Sequence, residues 1–256
     1  MFQGNPLAFG SGALWAIPTF DITGAAISTP TPVAFGALQD VTLDFSMTEK
    51  ALYGMYSFPL EIAGAEGKVT GKAKFARISG LLFNLLFGET LAAGETRTIV
   101  NEADSVPSNS PYTVAVAQSA NWVLDLGVFY ATGLGAMLQR VSSSPAAGQY
   151  SVAVGVYTFA AADAGKAVFI SYTYSFTTTV GQSLTLHNYP MGVRPKFQVV
   201  LRGYFAPNYL YLTLNRCVSS KLALGTKLND WTIPEMDFSA MADDSNLIGA
   251  ASYAAL

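Results

Sequence analysis

Four stretches of this chain alternate apolar and polar residues with a period of two, which commits them to β-strands buried on one face only. In 41–48, Val41, Leu43, Phe45 and Met47 point one way, and Thr42, Asp44, Ser46 and Thr48 the other. In 67–77, Val69, Gly71, Ala73 and Phe75 oppose Lys68, Thr70, Lys72 and Lys74. In 197–205, Phe197, Val199, Leu201 and Phe205 alternate with Lys196, Gln198 and Arg202. In 209–217, Leu210, Leu212 and Leu214 oppose Tyr209, Tyr211, Thr213 and Asn215. A Pro207-Asn208 turn is expected to join the last two strands.

These strands sit in a chain of 256 residues that is 51% hydrophobic and only 12% charged. That excludes disorder, which needs the reverse balance. It also argues against a lone, freely soluble monomer, because surface that is neither charged nor packed in a core must be covered by lipid or by other subunits. The net charge of -3 gives no basic footprint for a dedicated nucleic-acid binder.

Chemistry-bearing residues are few. One cysteine, Cys217, and one histidine, His187, leave no internal disulfide and no four-ligand zinc site. A Ser-His-Asp or Cys-His centre could use only His187, in the alternating run Leu184-Thr-Leu-His-Asn188. There it reads as a strand-end histidine, exposed or hydrogen-bonded, rather than a catalytic base. Cys217, at the end of the strand 209–217, reads as a buried small hydrophobe. The pairs Asp40/Asp44 and Asp243/Asp244 read as surface charge. No phosphate-loop, dinucleotide or nucleophile-elbow motif occurs. The expectation is a protein that is not an enzyme and that takes no cofactor and no metal. Lys50 is the first basic residue, so neither a secretory nor a transit peptide is expected. The longest strongly apolar run, Leu81-Leu-Phe-Asn-Leu-Leu-Phe87, is far short of the ~20 residues of a membrane helix.

Along the chain, 1–36 reads as an extended arm rich in Gly, Pro, Ser and Thr, with Thr29-Pro-Thr-Pro32 in it. The segment 49–66 is too long for a hairpin turn and too aromatic for a solvated loop. Ser79 fits a helix N-cap, with a short helix over 80–87 ended by Gly88. From about 90 to 178 the texture changes to short strands, at 112–118, 122–130, 134–141, 149–159 and 167–178, which suggests a small sandwich. The division read here is an all-β domain of 1–89 and 179–256 with a second β domain, 90–178, inserted. No tandem repeat is evident. The tail 228–256 holds five carboxylates and no Lys or Arg. It reads either as a solvated acidic arm or as an arm docking on the basic strand face of a neighbour.

This order of parts resembles the major tail tube proteins of tailed bacteriophages. The resemblance is carried by Val41-Thr-Leu-Asp-Phe-Ser-Met-Thr-Glu-Lys-Ala-Leu-Tyr-Gly54 with Phe58-Pro-Leu, then Lys68-Val-Thr-Gly-Lys-Ala-Lys-Phe-Ala76 and the short apolar helix. A C-terminal strand pair and Asp243-Asp-Ser-Asn-Leu-Ile-Gly249 complete it. The insert, with Asp125-Leu-Gly-Val, Gly148-Gln-Tyr-Ser-Val, Tyr157-Thr-Phe-Ala-Ala-Ala-Asp-Ala-Gly165 and Ile170-Ser-Tyr-Thr-Tyr, is similar to an accessory β domain of phage structural proteins.

The resemblance implies a tail-tube-type β-sandwich or barrel subunit with one short helix. Six copies would form a ring, with inner strands joined in one β-barrel, and rings would stack into a virion tail tube assembled in the bacterial cytoplasm. DNA would pass through it without sequence-specific binding. Implied partners are further copies of the chain, a tape measure, baseplate or tail-tip and terminator proteins, with a sheath as a further candidate, and no stable membrane insertion. On this reading Leu52, Tyr53, Met55, Tyr56 and Phe58 form a ring-stacking loop. Thr42, Asp44, Ser46, Lys68, Thr70, Lys72, Lys74, Lys196, Gln198 and Arg202 face the lumen. The insert decorates the outside. One departure stands out: tube lumens of the family are often acidic, whereas these polar faces set Asp40 and Asp44 against five cations. The alternative reading is an outer-membrane β-barrel. A β-rich enzyme or sugar binder is a third, using Trp15, Trp122 or Trp231, although core packing is the expectation for each.

Overall fold

The computed structural model describes residues 10, 12–77, 79–89, 91–132, 136–178, 181–205 and 208–254. Residues 1–9 of the expected arm, Pro207 of the expected turn and the start of the expected strand 134–141 lie outside them. The described residues are mostly β-strand with one short helix, an all-β fold. They divide into two compact units, 1–91 with 184–256, and 92–183.

In chain order the first unit holds β1 (Ala13–Phe20), β2 (Val33–Ala34), β3 (Leu38–Tyr53), β4 (Pro59–Phe75) and α1 (Gly80–Phe87). The second holds β5 (Ala92–Ala93), β6 (Glu95–Ser105), β7 (Thr113–Ala115), β8 (Trp122–Tyr130), β9 (Gln139–Arg140), β10 (Gln149–Ala153), β11 (Val156–Phe159), β12 (Ala167–Phe176) and β13 (Gln182–Ser183). The first then resumes with β14 (Lys196–Phe205), β15 (Asn208–Ala223), β16 (Glu235–Met241) and β17 (Gly249–Ala254).

The first unit is one eight-stranded sheet in the order β2-β1-β14-β15-β16-β4-β3, with β17 on β15. β15 gives one edge to β14 and divides the other: Tyr209–Leu214 pair with β17, and Arg216–Ala223 with β16. No closed barrel is found among the described residues. One face of the sheet is apolar and packs Leu14, Phe75, Phe197, Leu214, Met236 and Phe238 into a core with Leu82 and Leu85 of α1. Each such side chain contributes roughly 1.5–3 kcal/mol of burial. The helix boundaries follow local chemistry. Ser79 Oγ accepts from the Leu81 N–H at 3.3 Å. Gly88 takes φ of 72° and its N–H donates to the Asn84 carbonyl at 2.7 Å, a left-handed end that favours glycine.

Several expectations are corrected. The arm contains β1 and β2, with Leu14, Ala16 and Val33 buried, because its apolar residues add two strands to the core face. The segment 49–66 is a hairpin after all. β3 and β4 run to 16 and 17 residues, and pairing continues to Tyr53↔Pro59. Its turn spans only 54–58, since the aromatic residues lie on the paired strands as well as in the connection. The strand holding Cys217 runs on to Ala223. The acidic tail is not an arm: β16 fills the sheet between β15 and β4, because Met236, Phe238 and Ala240 alternate inward. His187 lies past the end of β13, in a segment without regular structure.

The second unit packs a four-stranded sheet, β7-β11-β10-β9, with a three-stranded one, β6-β12-β8. Both contribute to one core, Val114, Tyr150, Tyr157 and Phe159 from the first and Val128, Val168, Ile170 and Tyr172 from the second. The expected strand 149–159 is two, β10 and β11, broken at Val154-Gly155, both of positive φ. β6 was not anticipated. Three carboxylates tie this core together. Asp125 accepts from Tyr150 and Tyr157 at 2.7 and 3.0 Å, and Glu102 from Tyr172 at 2.7 Å. Buried Asp163 accepts from Tyr130, Lys166 and the Gly148 N–H at 2.7, 2.7 and 3.0 Å. Burial pushes the Asp163 carboxyl up, but these donors outweigh it and hold it below its ordinary value.

Candidate functional site

The expected lumen-facing residues fall on the solvent side of the main sheet. Register sets Thr42 opposite Lys72, Asp44 opposite Thr70 and Ser46 opposite Lys68. Lys74 lies between Asp40 of β3 and Glu235 of β16. On β14, Lys196, Gln198 and Arg202 alternate with buried Phe197 and Val199 and with Leu201, which packs against the core. The alternation of 235–240 brings three further residues to this side: Glu235, Asp237 and Ser239 stand beside Lys74, Lys72 and Thr70. That alternation was the signal for these residues, hidden by the acidic character of the tail.

The charges form a ladder. Glu235 lies 2.8 Å from Lys72 and 2.9 Å from Lys221. Hydrogen bonds from Lys72 and then Lys221 hold its carboxyl down at about 2. Lys221 also stands 3.8 Å from Asp237, and Lys74 3.9 Å from Asp40. Arg216 makes two 2.8 Å bonds to Asp244, which depress that carboxyl. Lys68, Lys196 and Arg202 have no ion pair among the described residues. Arg202 instead stands 5.4 and 5.9 Å from the rings of Tyr204 and Tyr209, themselves 4.9 Å apart. The tail therefore neutralises part of the basic face and leaves Lys68, Lys196 and Arg202 without an ion pair among the described residues. A groove of about 320 Å³ on this side is lined by Thr42, Asp44, Lys68, Thr70, Lys72 and Asp237.

The second element is the far half of the β3–β4 hairpin. Leu52 and Tyr53 end β3, and Met55, Tyr56 and Phe58 form the turn. All five are exposed, as are Phe45, Met47, Leu60 and Ile62. None of the nine is sequestered by the unit's own core.

His187 Nδ1 lies 2.7 Å from Glu89 Oε1, and its ring is 5.9 Å from that of Tyr189. Cys217 is fully buried, and burial pushes its thiol up to about 12. Among the expected core tryptophans, Trp231 is a correction: it is 86% exposed, next to Leu228 at 98%, in the turn between β15 and β16. No family model matches the sequence, and no curated protein matches it.

Proposed function

We propose that the chain is a structural subunit of a phage tail tube. Six copies close into a ring, rings stack into a conduit for DNA, and no catalysis is involved. The polar side of the main sheet, with Thr42, Asp44, Ser46, Lys68, Thr70, Lys72, Lys74, Lys196, Gln198 and Arg202, lines the bore. The hairpin carrying Leu52, Tyr53, Met55, Tyr56 and Phe58 joins one ring to the next. Its partners are then further copies of itself and the proteins that end the tube and measure its length, and its place is the virion tail.

One observation carries this reading: a hairpin that extends from the sheet with nine large apolar side chains in solvent, none of which joins the sheet's core. Exposure on that scale is a liability for a monomer and an asset for an assembly. The outer edges of β2 and of residues 39–53 of β3 pair with no further strand among the described residues, which points the same way, because an unpaired edge strand invites another chain. An outer-membrane barrel would need strands apolar toward lipid, whereas one side of this sheet carries the charge ladder and the other packs on α1. Light scattering and negative-stain microscopy of the purified protein test the reading. Six-fold rings and tubes are expected; a stable monomer at high concentration overturns it.

A further inference from the structure

His187 is the only histidine in the chain, and the fold holds its ring in one orientation. Glu89, just past the end of α1, places Oε1 2.7 Å from His187 Nδ1, and Tyr189 hydrogen-bonds the same carboxyl. These bonds, His187 first, hold Glu89 below its ordinary value. The carboxylate is therefore ionised and can only accept, so Nδ1 carries the hydrogen between them. Nε2 is the ring atom left for a ligand. It accepts when the imidazole is neutral and donates when it is charged.

His187 lines a solvent-open cavity of about 400 Å³ that lies within the first unit. Ile22, Leu86 and Phe87 give the cavity an apolar part, and Arg194 lines it together with His187. Arg194 Nη1 donates to the Ser219 carbonyl at 3.4 Å, and the guanidinium has no ion pair among the described residues. No carboxylate lines the cavity among the described residues. Nearby charges are already engaged. Asp21, beside Ile22, accepts from Thr23 and Ala25 in its own turn, and Lys221, beside Ser220, pairs with Glu235. Besides the Tyr189 phenol, the groups here that can carry charge are thus Arg194 and, once protonated, His187.

We propose that this cavity binds a small phosphate ester, with protonated His187 and Arg194 on its oxygens and the apolar residues against its organic part. The volume lies within the range of small-molecule sites, roughly 300–1,000 Å³. Two cationic donors with no acid beside them complement an oxyanion, and a phosphate has enough terminal oxygens to take both. This site is independent of whether copies assemble, because every residue in it belongs to one chain.

The single histidine makes the test site-specific, since its ring gives one imidazole signal by nuclear magnetic resonance. Adding phenyl phosphate to the full chain should move that signal saturably, and Arg194→Gln should weaken the binding at least ~10-fold. A signal that does not move at ~10 mM phenyl phosphate, or that moves equally in Arg194→Gln, overturns the proposal. Inorganic phosphate binding as tightly as phenyl phosphate overturns the assignment of an ester. Phenyl sulfate, whose single charge is constant over the range, isolates the imidazole: calorimetry should show weaker binding at pH ~8.5 than at ~5.5 in wild type, and no such change in His187→Gln. The same pH dependence in both proteins overturns the role of His187. Flotation with phosphatidic acid vesicles, without binding of phenyl phosphate, assigns the cavity to a lipid surface and also overturns the proposal. Thermal melts of both variants, expected to match wild type within a few degrees, separate lost binding from lost folding.

Discussion

Lys72 and Glu235 come from opposite parts of the chain and meet at 2.8 Å on neighbouring strands, with Lys221 closing on the same carboxylate from the other side at 2.9 Å. Glu235 is held at about 2, below its ordinary 4.5. A carboxyl depressed in the folded state stabilises the fold above its unfolded value and loses that contribution as pH falls through the folded one. The window is therefore about pH 4.5 down to about 2. Glu235→Gln should be less stable than wild type at pH 7, and the two melting curves should converge toward pH 2. A difference independent of pH would mean that the ladder adds nothing through charge.

Gly71 is held by packing rather than by backbone angle. A Cβ there would lie 2.1 Å from Phe238 Cζ, because the far end of that ring sits over Gly71 on the strand it pairs with. Gly71→Ala should destabilise the first unit by about 1–3 kcal/mol, the usual cost of overpacking. Adding Phe238→Leu, which removes the ring, should recover part of that in urea unfolding. A neutral Gly71→Ala would show that the ring can step aside.

The two ends of the second unit lie side by side, since Ala92 and Ser183 are paired residues of β5 and β13. Chain ends so close can be joined by a few residues. Replacing 92–183 with a short Gly-Ser linker should leave the first unit folded, with its own core and helix intact. Circular dichroism and a cooperative melt check this. Loss of all folding would mean that the two cores depend on each other.

What could be read in the sequence tracks where side chains meet a core. Lys68 to Phe75 alternates without a break because every second residue is buried, and the helix shows its ends through Ser79 and Gly88. The hairpin was illegible as strand because neither of its faces is buried, so nothing imposes a period on 49–62. β6 was missed for the opposite reason. Its Glu102 is used as a partner for Tyr172 and for the Ala117 N–H, and a carboxylate in that role hides the strand pattern. In β16 the inward alternation of Met236, Phe238 and Ala240 was present, but Glu235 and Asp237 made the segment read as part of an acidic tail. Leu228 and Trp231 carry no periodic signal at all, because they sit in a turn.

The hairpin allows assembly to be separated from folding. Tyr53 is 60% and Tyr56 75% exposed, so replacing both removes little from the subunit's own stability. Exposed substitutions of this kind usually change stability by less than about 0.5 kcal/mol. If the same rings are buried between copies, each contributes roughly 1.5–3 kcal/mol there. In a ring the contact repeats around the axis, so a modest loss per copy is multiplied in the stack. Tyr53→Ser with Tyr56→Ser should therefore keep the wild-type melting temperature and any ring it forms, while shortening or abolishing tubes. Microscopy and sizing read the second effect, and a thermal melt the first. Full-length tubes from the double variant would show that the hairpin does not join rings, and an unfolded subunit would show that its aromatic side chains serve the fold instead.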